Sequence, residues 1–307
     1  MRATMALTAG LLAIGGLAGP AAAESYVYAG QWGAQGTGPA QFSVISGIAC
    51  EGGRVYVTDM VPLLTERVQV FDASGVLVAE GKDWDEESGA TGGVDVDAAG
   101  AVYTSVVDVF TKTDAAFALA LRREREDLSP PPALFRPTDV AVASSGEILI
   151  AEMAEHRITR LSPAGGLLGT IGSQGAGDGQ FNFVGGVAVA PDGSIYATDH
   201  LGNRVLRFSA SGQFISAWGT KGAEPGQFTN PRGIDIDAAG QVYVADWIGQ
   251  RVQKFTADGA FVCAFGEPGS ADGQFNGPVD VAVAADGSAI YVADLLNYRI
   301  QRFDRQP

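Results

Sequence analysis

The chain has two cysteines, Cys50 and Cys263, and two histidines, His156 and His200, among 307 residues. Two cysteines cannot build the disulfide framework of a small secreted scaffold. The repeat described below puts them in non-adjacent copies, so both are expected to be free, buried and apolar in character. Two histidines cannot supply a three-histidine zinc site. The four methionines are too few and too spread for a copper site, and gap-filling is their usual role. Positive charge is scarce as well: 20 Lys and Arg face 35 Asp and Glu, a formal net charge of −15. Binding phosphates requires clustered Lys and Arg to displace counterions, so a nucleic-acid partner is excluded and an anionic membrane surface disfavoured. No segment after residue 23 is a long apolar run, and membrane insertion, which takes about 20 such residues, is not expected. Also missing are a Ser–His–acid constellation, paired cysteines at metal-binding spacing, and a glycine-rich phosphate loop opening a helix.

What the chain does have begins with Arg2, an apolar run from Leu7 to Leu17, and Ala21-Ala22-Ala23 before Glu24. This is the pattern of a secretory leader with a small-residue cleavage site. Cleavage is expected after Ala23, giving a leader over 1–23 and a mature chain over 24–307, free in the periplasm or the medium. Glycine is abundant, at 42 residues, and charged residues are only 18%. That mixture suits many short strands joined by tight turns.

Self-similarity explains the glycine. Tyr243-Val244-Ala245-Asp246 is echoed by Tyr291-Val292-Ala293-Asp294, Tyr196-Ala197-Thr198-Asp199 and Tyr56-Val57-Thr58-Asp59, and more weakly by Ile150-Ala151-Glu152. The acids stand at 59, 152, 199, 246 and 294, with gaps of 93, 47, 47 and 48 residues. The first gap is two periods, and a degenerate copy, Val102-Tyr103-Thr104-Ser105-Val106, lies inside it with the acid lost. One copy reads as four strands: Gly233–Asp237 alternates, Ala238-Ala239-Gly240 turns, Gln241–Ala245 alternates again, Arg251–Phe255 follows, and Asp258-Gly259 turns into Ala260–Phe265. Four antiparallel strands per period of about 47 residues describe a propeller blade. The last copy stops at Phe303-Asp304, without its fourth strand, while Tyr26–Gly33 supplies a matching segment with Trp32 where other copies have Trp218 and Phe265. Borrowing that strand closes the ring and hides its open edges. The fold expected is an all-β, six-bladed β-propeller whose last blade both termini share, and it is expected to be a monomer.

The strings Asn276–Val283, Ile290–Asp294 and Asn297–Asp304, with a linker ending in Gly-Gln-Phe at 179–181, 226–228 and 273–275, resemble the NHL repeat family. The resemblance covers essentially all of residues 24–307, closely in blades four to six and poorly in blade two. It implies the propeller. Exported members of that family include amidating lyases with a zinc held by three histidines, which this chain cannot assemble. Related propellers include lactone hydrolases that hold calcium at the channel with acidic and amide side chains, for which Asp199, Asp246, Asp294 and Asn297 are the available types.

Features repeated in every blade are what the blade needs to fold, and the acid with an Arg five residues later is read as such a pair. Function is expected where the copies differ, on the face carrying the second-to-third-strand loops and the connections between blades. Just after the acid the copies read Met60, Met153, His200, Trp247 and Leu295, a set placed to line the channel mouth. His200 and Trp247 on consecutive blades offer a titratable group beside a large amphipathic ring. Arg232 fills a slot held elsewhere by Ser46, Thr138, Gly185 and Val279, and suits an anionic ligand group. His156, next to its Arg, reads as structural. Around blade two, Lys82–Glu87 with Trp84, and Arg122–Asp127 running into Pro130-Pro131-Pro132, form with Leu63 and Leu64 a candidate protein-docking rim anchored by Trp84. The expectation is an extracytoplasmic recognition module for a protein or small ligand, with no cofactor. The alternative is a metal-assisted hydrolase or lyase at the channel, lactonase-like or amidating-lyase-like, and only there would calcium or zinc enter.

Overall fold

A computed structural model describes residues 24–61, 65–82, 91–106, 109–124 and 137–306. They form six four-stranded antiparallel sheets. The innermost strands, in blade order, are Ile45–Glu51, Thr91–Val96, Pro137–Val142, Val184–Val189, Pro231–Ile236 and Pro278–Val283, and each touches the next until the sixth meets the first. No α-helix occurs among the described residues, and no helix there is long and apolar enough to cross a membrane.

The sixth blade closes as its truncated repeat requires. Tyr26–Trp32 pairs antiparallel with Arg299–Arg305, with Tyr28 opposite Phe303 and Trp32 opposite Ile300. Trp32 therefore holds the place that Trp218 takes opposite Val205 and Phe265 takes opposite Val252. Lys254 secures the seam. Its ammonium, 2% exposed, pairs with Glu24 and donates to the Tyr26 hydroxyl. Blade two forms all four strands although its repeat has decayed, and Thr104 and Thr111 hydroxyls bond across it.

The recurring acid and Arg are the joinery between a hairpin and the linker before it. Arg204 meets Asp199 at 3.1 Å and also donates to the carbonyls of Ala176, Gly177 and Gln180. Asp199 in turn accepts from the N–H groups of Asn182 and Phe183. Asp246 with Arg251 and Asp294 with Arg299 repeat the arrangement, and in blade one the partner of Asp59 is Arg67, carried further along the chain by a longer hairpin. The acids are fully buried, so an unpaired charge there would be costly. The Gly-Gln-Phe linker has an equally local cause: at Gly175, with φ +151°, the Gln180 side chain occupies the space a Cβ would need, and Phe181 drops into the core.

Both cysteines are free, as expected, but each is half-buried where full burial was expected. Cys50 borders the channel end and Cys263 lies on an outermost strand, where core packing is thinner. Burial still pushes their thiols up, to about 12 and about 11.

Candidate functional site

The channel opens on both faces. On the face of the short turns a cavity of about 370 Å³ is bordered by Cys50, Glu51, Asp95 and Asp235. On the loop face a smaller one of about 200 Å³ is walled by Met153, His200, Arg232 and Leu295. Asp139 and Asp280 border both and form the waist.

Four aspartates of the innermost strands act as staples between blades. In each, Oδ1 accepts from the next residue's N–H and Oδ2 from an inner strand of the following blade: Asp95 from Val142 at 2.7 Å, Asp139 from Val187 at 2.9 Å, Asp235 from Val283 at 2.7 Å and Asp280 from Ile48 at 2.9 Å. The positions are paired three blades apart, Asp95 with Asp235 and Asp139 with Asp280. Burial pushes these carboxyls up, to about 7 for Asp95 and Asp280 and about 8 for Asp235, while the donated N–H groups oppose the rise. Asp139 is raised well above the ordinary range by burial and by Asp280 across the waist. Sequence reading passed over these residues. For the waist pair the signal that could have found them is a carboxylate on an innermost strand with glycine at the facing position of the neighbouring blade, as Gly93 faces Asp139 and Gly233 faces Asp280; no glycine marks Asp95 or Asp235 in this way.

On the loop face, the residue after the acid in blades one, four, five and six donates its backbone N–H to the end of the linker: Met60 to Val44, His200 to Phe183, Trp247 to Asn230 and Leu295 to Gly277. In the tightly turning blades four and six this residue's side chain then lies at the mouth, as His200 and Leu295 do. His200, 8% exposed, approaches the Pro231 carbonyl through Nδ1 and the Asn230 amide through Nε2, both at 3.3 Å. The tautomer that satisfies both contacts carries its proton on Nδ1. Burial, and then the charge of Arg232, lower the pKa of His200, so the ring is neutral near pH 7. Thr198 donates to the Arg232 carbonyl, so blade four grips the inner strand of blade five on both sides of Arg232.

The Arg232 guanidinium lies over the Trp247 ring at 3.9 Å from its centroid, and Trp247 stacks beside His200 at 6.1 Å. Among the described residues no carboxylate pairs with Arg232 and no acceptor takes its hydrogen bonds. His200, Arg232, Met153 and Leu295 thus meet at one mouth, with Trp247 behind the cation, and the slot residues Ser46, Thr138, Gly185 and Val279 line the same cavity. Met60 does not reach that wall: its hairpin continues as a ladder to Val61 and Thr65, with Met60 opposite Glu66, where other blades turn tightly. Trp84, Leu63, Leu64 and most of the expected docking rim lie outside the described residues. His156 sits in the left-handed turn before Arg157, against the Phe183 ring, in keeping with a structural role.

A family model described as the SMP-30/gluconolactonase/LRE-like region matches residues 122–270. No curated protein matches. Among solved structures, a Bacteroides thetaiotaomicron protein of unknown function is 15% identical, with a TM-score of 0.67 over 92% of this chain and 76% of that one. A structure described as a streptogramin B lyase is 14% identical, with a TM-score of 0.63 over 92% of this chain and 97% of that one. A catalytically inactive histidine-to-alanine variant of virginiamycin B lyase from Staphylococcus aureus, solved with quinupristin, is 17% identical, with a TM-score of 0.60 over 86% and 84% of the two chains. At such identities these likenesses establish the propeller alone, and the NHL resemblance continues to rest on the repeat residues.

Among the described residues, the candidate donors at the channel are not arranged as a metal site. Among the described residues no three His, Cys, Asp or Glu side chains stand together as ligands. Asp199, Asp246 and Asp294 are spent on their arginines and linkers, and the Asn297 amide donates to Asp294 and to the Gly269 carbonyl.

Proposed function

We propose that this chain is a recognition propeller that binds an organic anion at its loop-face mouth, on Arg232. The observation that carries the reading is the state of that guanidinium. In a protein of net charge −15, it is held against Trp247 without a carboxylate partner among the described residues. Stacking on the indole engages the face of the guanidinium and leaves its N–H edge for a planar anion, which it can meet with two parallel hydrogen bonds. His200 supports this role as a neutral wall. It adds no second charge near pH 7, and its two nitrogens are engaged by Pro231 and Asn230. With the leader removed after Ala23, the mouth would face the periplasm or the medium.

The matched family description and the two lyase neighbours favour a second reading, hydrolysis or elimination at the same mouth. His200 would then have to leave Asn230 to act on a substrate. The discriminating experiment is calorimetric titration of the purified chain with acetate and benzoate, using benzamide as the neutral control. Carboxylates are expected to bind with a loss of at least tenfold in Arg232→Ala, and benzamide not to bind. Equal binding by the variant would overturn the reading. Turnover of a lactone or a streptogramin, lost in His200→Ala, would support the second.

A further inference from the structure

We infer that the anion held by Arg232 is a monocarboxylate with an extended apolar body, an acyl carboxylate. This rests on the reading of Arg232 as the anion site. An independent feature carries it further. In blades four, five and six the residue two after the acid is large, apolar and uncovered: Leu201 is 43% exposed, Ile248 53% and Leu296 50%. The corresponding residue of blade one, Val61, is buried at 6%, and that of blade three is Ala154. Among the described residues the three therefore form an arc on one side of the channel that blades one and three do not continue.

The arc borders the anion site. Each member directly follows His200, Trp247 or Leu295, and Gly277 lies between Trp247 and Leu296, within 2.7 Å and 3.4 Å of them as measured from the place of a Cβ. A single fixed cation suits one anionic group. The rest of the wall has few free polar groups: Val44, Ile45, Met153, Val279 and Leu295 are apolar, the Ser46 and Thr138 hydroxyls are engaged by Thr58 and the Val184 carbonyl, and at the waist the Asp139 and Asp280 carboxyls already accept from backbone N–H groups of two blades. At about 200 Å³ the mouth is smaller than the roughly 300–1,000 Å³ of cavities that enclose a drug-sized ligand. It accommodates a head group and the first carbons. A longer body must leave it, and the surface it meets on the side of Arg232 is Leu201, Ile248 and Leu296.

The test is a chain-length series, acetate, butyrate, hexanoate and octanoate, with octanamide as the neutral partner, titrated into the full chain. Affinity is expected to rise from butyrate to octanoate by about two- to fourfold per methylene. The triple variant Leu201→Ser/Ile248→Ser/Leu296→Ser, changed only at exposed positions, should bind acetate as the parent does and lose the dependence on length. Binding of all carboxylates that needs Arg232 but does not grow with length would overturn the acyl inference and leave the anion site standing. Failure of every carboxylate to bind, or octanamide binding as tightly as octanoate, would overturn both.

Discussion

Gly93 and Gly233 are dictated by what stands across from them. A methyl group on either would enter the carboxylate of the adjacent blade's aspartate, Asp139 for Gly93 and Asp280 for Gly233. For Gly93 the Asp139 Cα would also lie at 2.8 Å, so swinging the side chain aside gives no relief. Gly93→Ala is expected to lower stability by about 3 kcal/mol, the upper part of the usual range for overpacking. Gly30→Ala, with nothing within 4 Å, should stay within about 0.5 kcal/mol. Urea denaturation of both variants checks this, and equal midpoints would show that the inner strands can separate freely. The mouth residues were more legible than these glycines. His200, Met153 and Leu295 follow from asking what stands after the acid in the tightly turning copies, and Arg232 from asking where the innermost-strand slot of Ser46, Thr138, Gly185 and Val279 differs. Met60 escapes the rule because its hairpin is longer, with a ladder that runs on to Val61 and Thr65. Trp247, on which Arg232 stacks, was itself a candidate, but no spacing rule ties the second residue of an innermost strand to a ring in the next hairpin of its blade.

At the scale of the element, the innermost strands bear the main load of the ring, since four carboxylates cross from blade to blade where side chains would otherwise have to interdigitate. Their titration makes stability pH-dependent. An unfolded carboxyl has a pKa near 4, whereas Asp95 and Asp280 are raised to about 7 and Asp235 to about 8 in the fold. Between those values the folded chain holds protons that the unfolded chain has released, so stability falls as pH rises through the window. His200 acts oppositely, since its lowered pKa costs stability only as pH drops below about 6.5. The unfolding midpoint is therefore expected to decline from pH 6 to pH 8.5. Asp235→Asn should flatten that decline. It should also lower the midpoint at pH 6 by roughly 2–4 °C per kcal/mol lost, because an amide can accept only one of the two N–H bonds. Calorimetry at three pH values decides it, and an unchanged slope in the variant would show that Asp235 does not titrate in this window. The strands themselves were readable from alternation and turn residues. The staples were not, because an aspartate in an alternating strand reads as a solvent-facing position until the neighbouring blade is in place.

Across the whole molecule, closure depends on one strand far from its partner in sequence, and the sequence announced it by omission: the last copy lacks a fourth strand that the segment from Tyr26 supplies. Register confirms that the borrowed strand is a full repeat member, with Trp32 in the aromatic slot of its blade. Less visible was the lock at its start. Lys254 is buried to 2% exposure and has Glu24 for its charge and the Tyr26 hydroxyl for a second N–H, so the borrowed strand also neutralises a lysine of blade five. A chain beginning at Gly33 would open two defects together, an unpaired edge along Arg299–Arg305 and a buried ammonium without its carboxylate. Such a chain is expected to lose cooperative unfolding and to aggregate. A synthetic peptide spanning 24–32, added in trans, should restore a single thermal transition. Adding Lys254→Met to the truncated chain should recover only the part due to charge, since the edge remains open. If the truncated chain melted cooperatively at the parent's temperature without peptide, the five complete blades would be holding the ring closed unaided, and the shared sheet would be a consequence of closure rather than its cause.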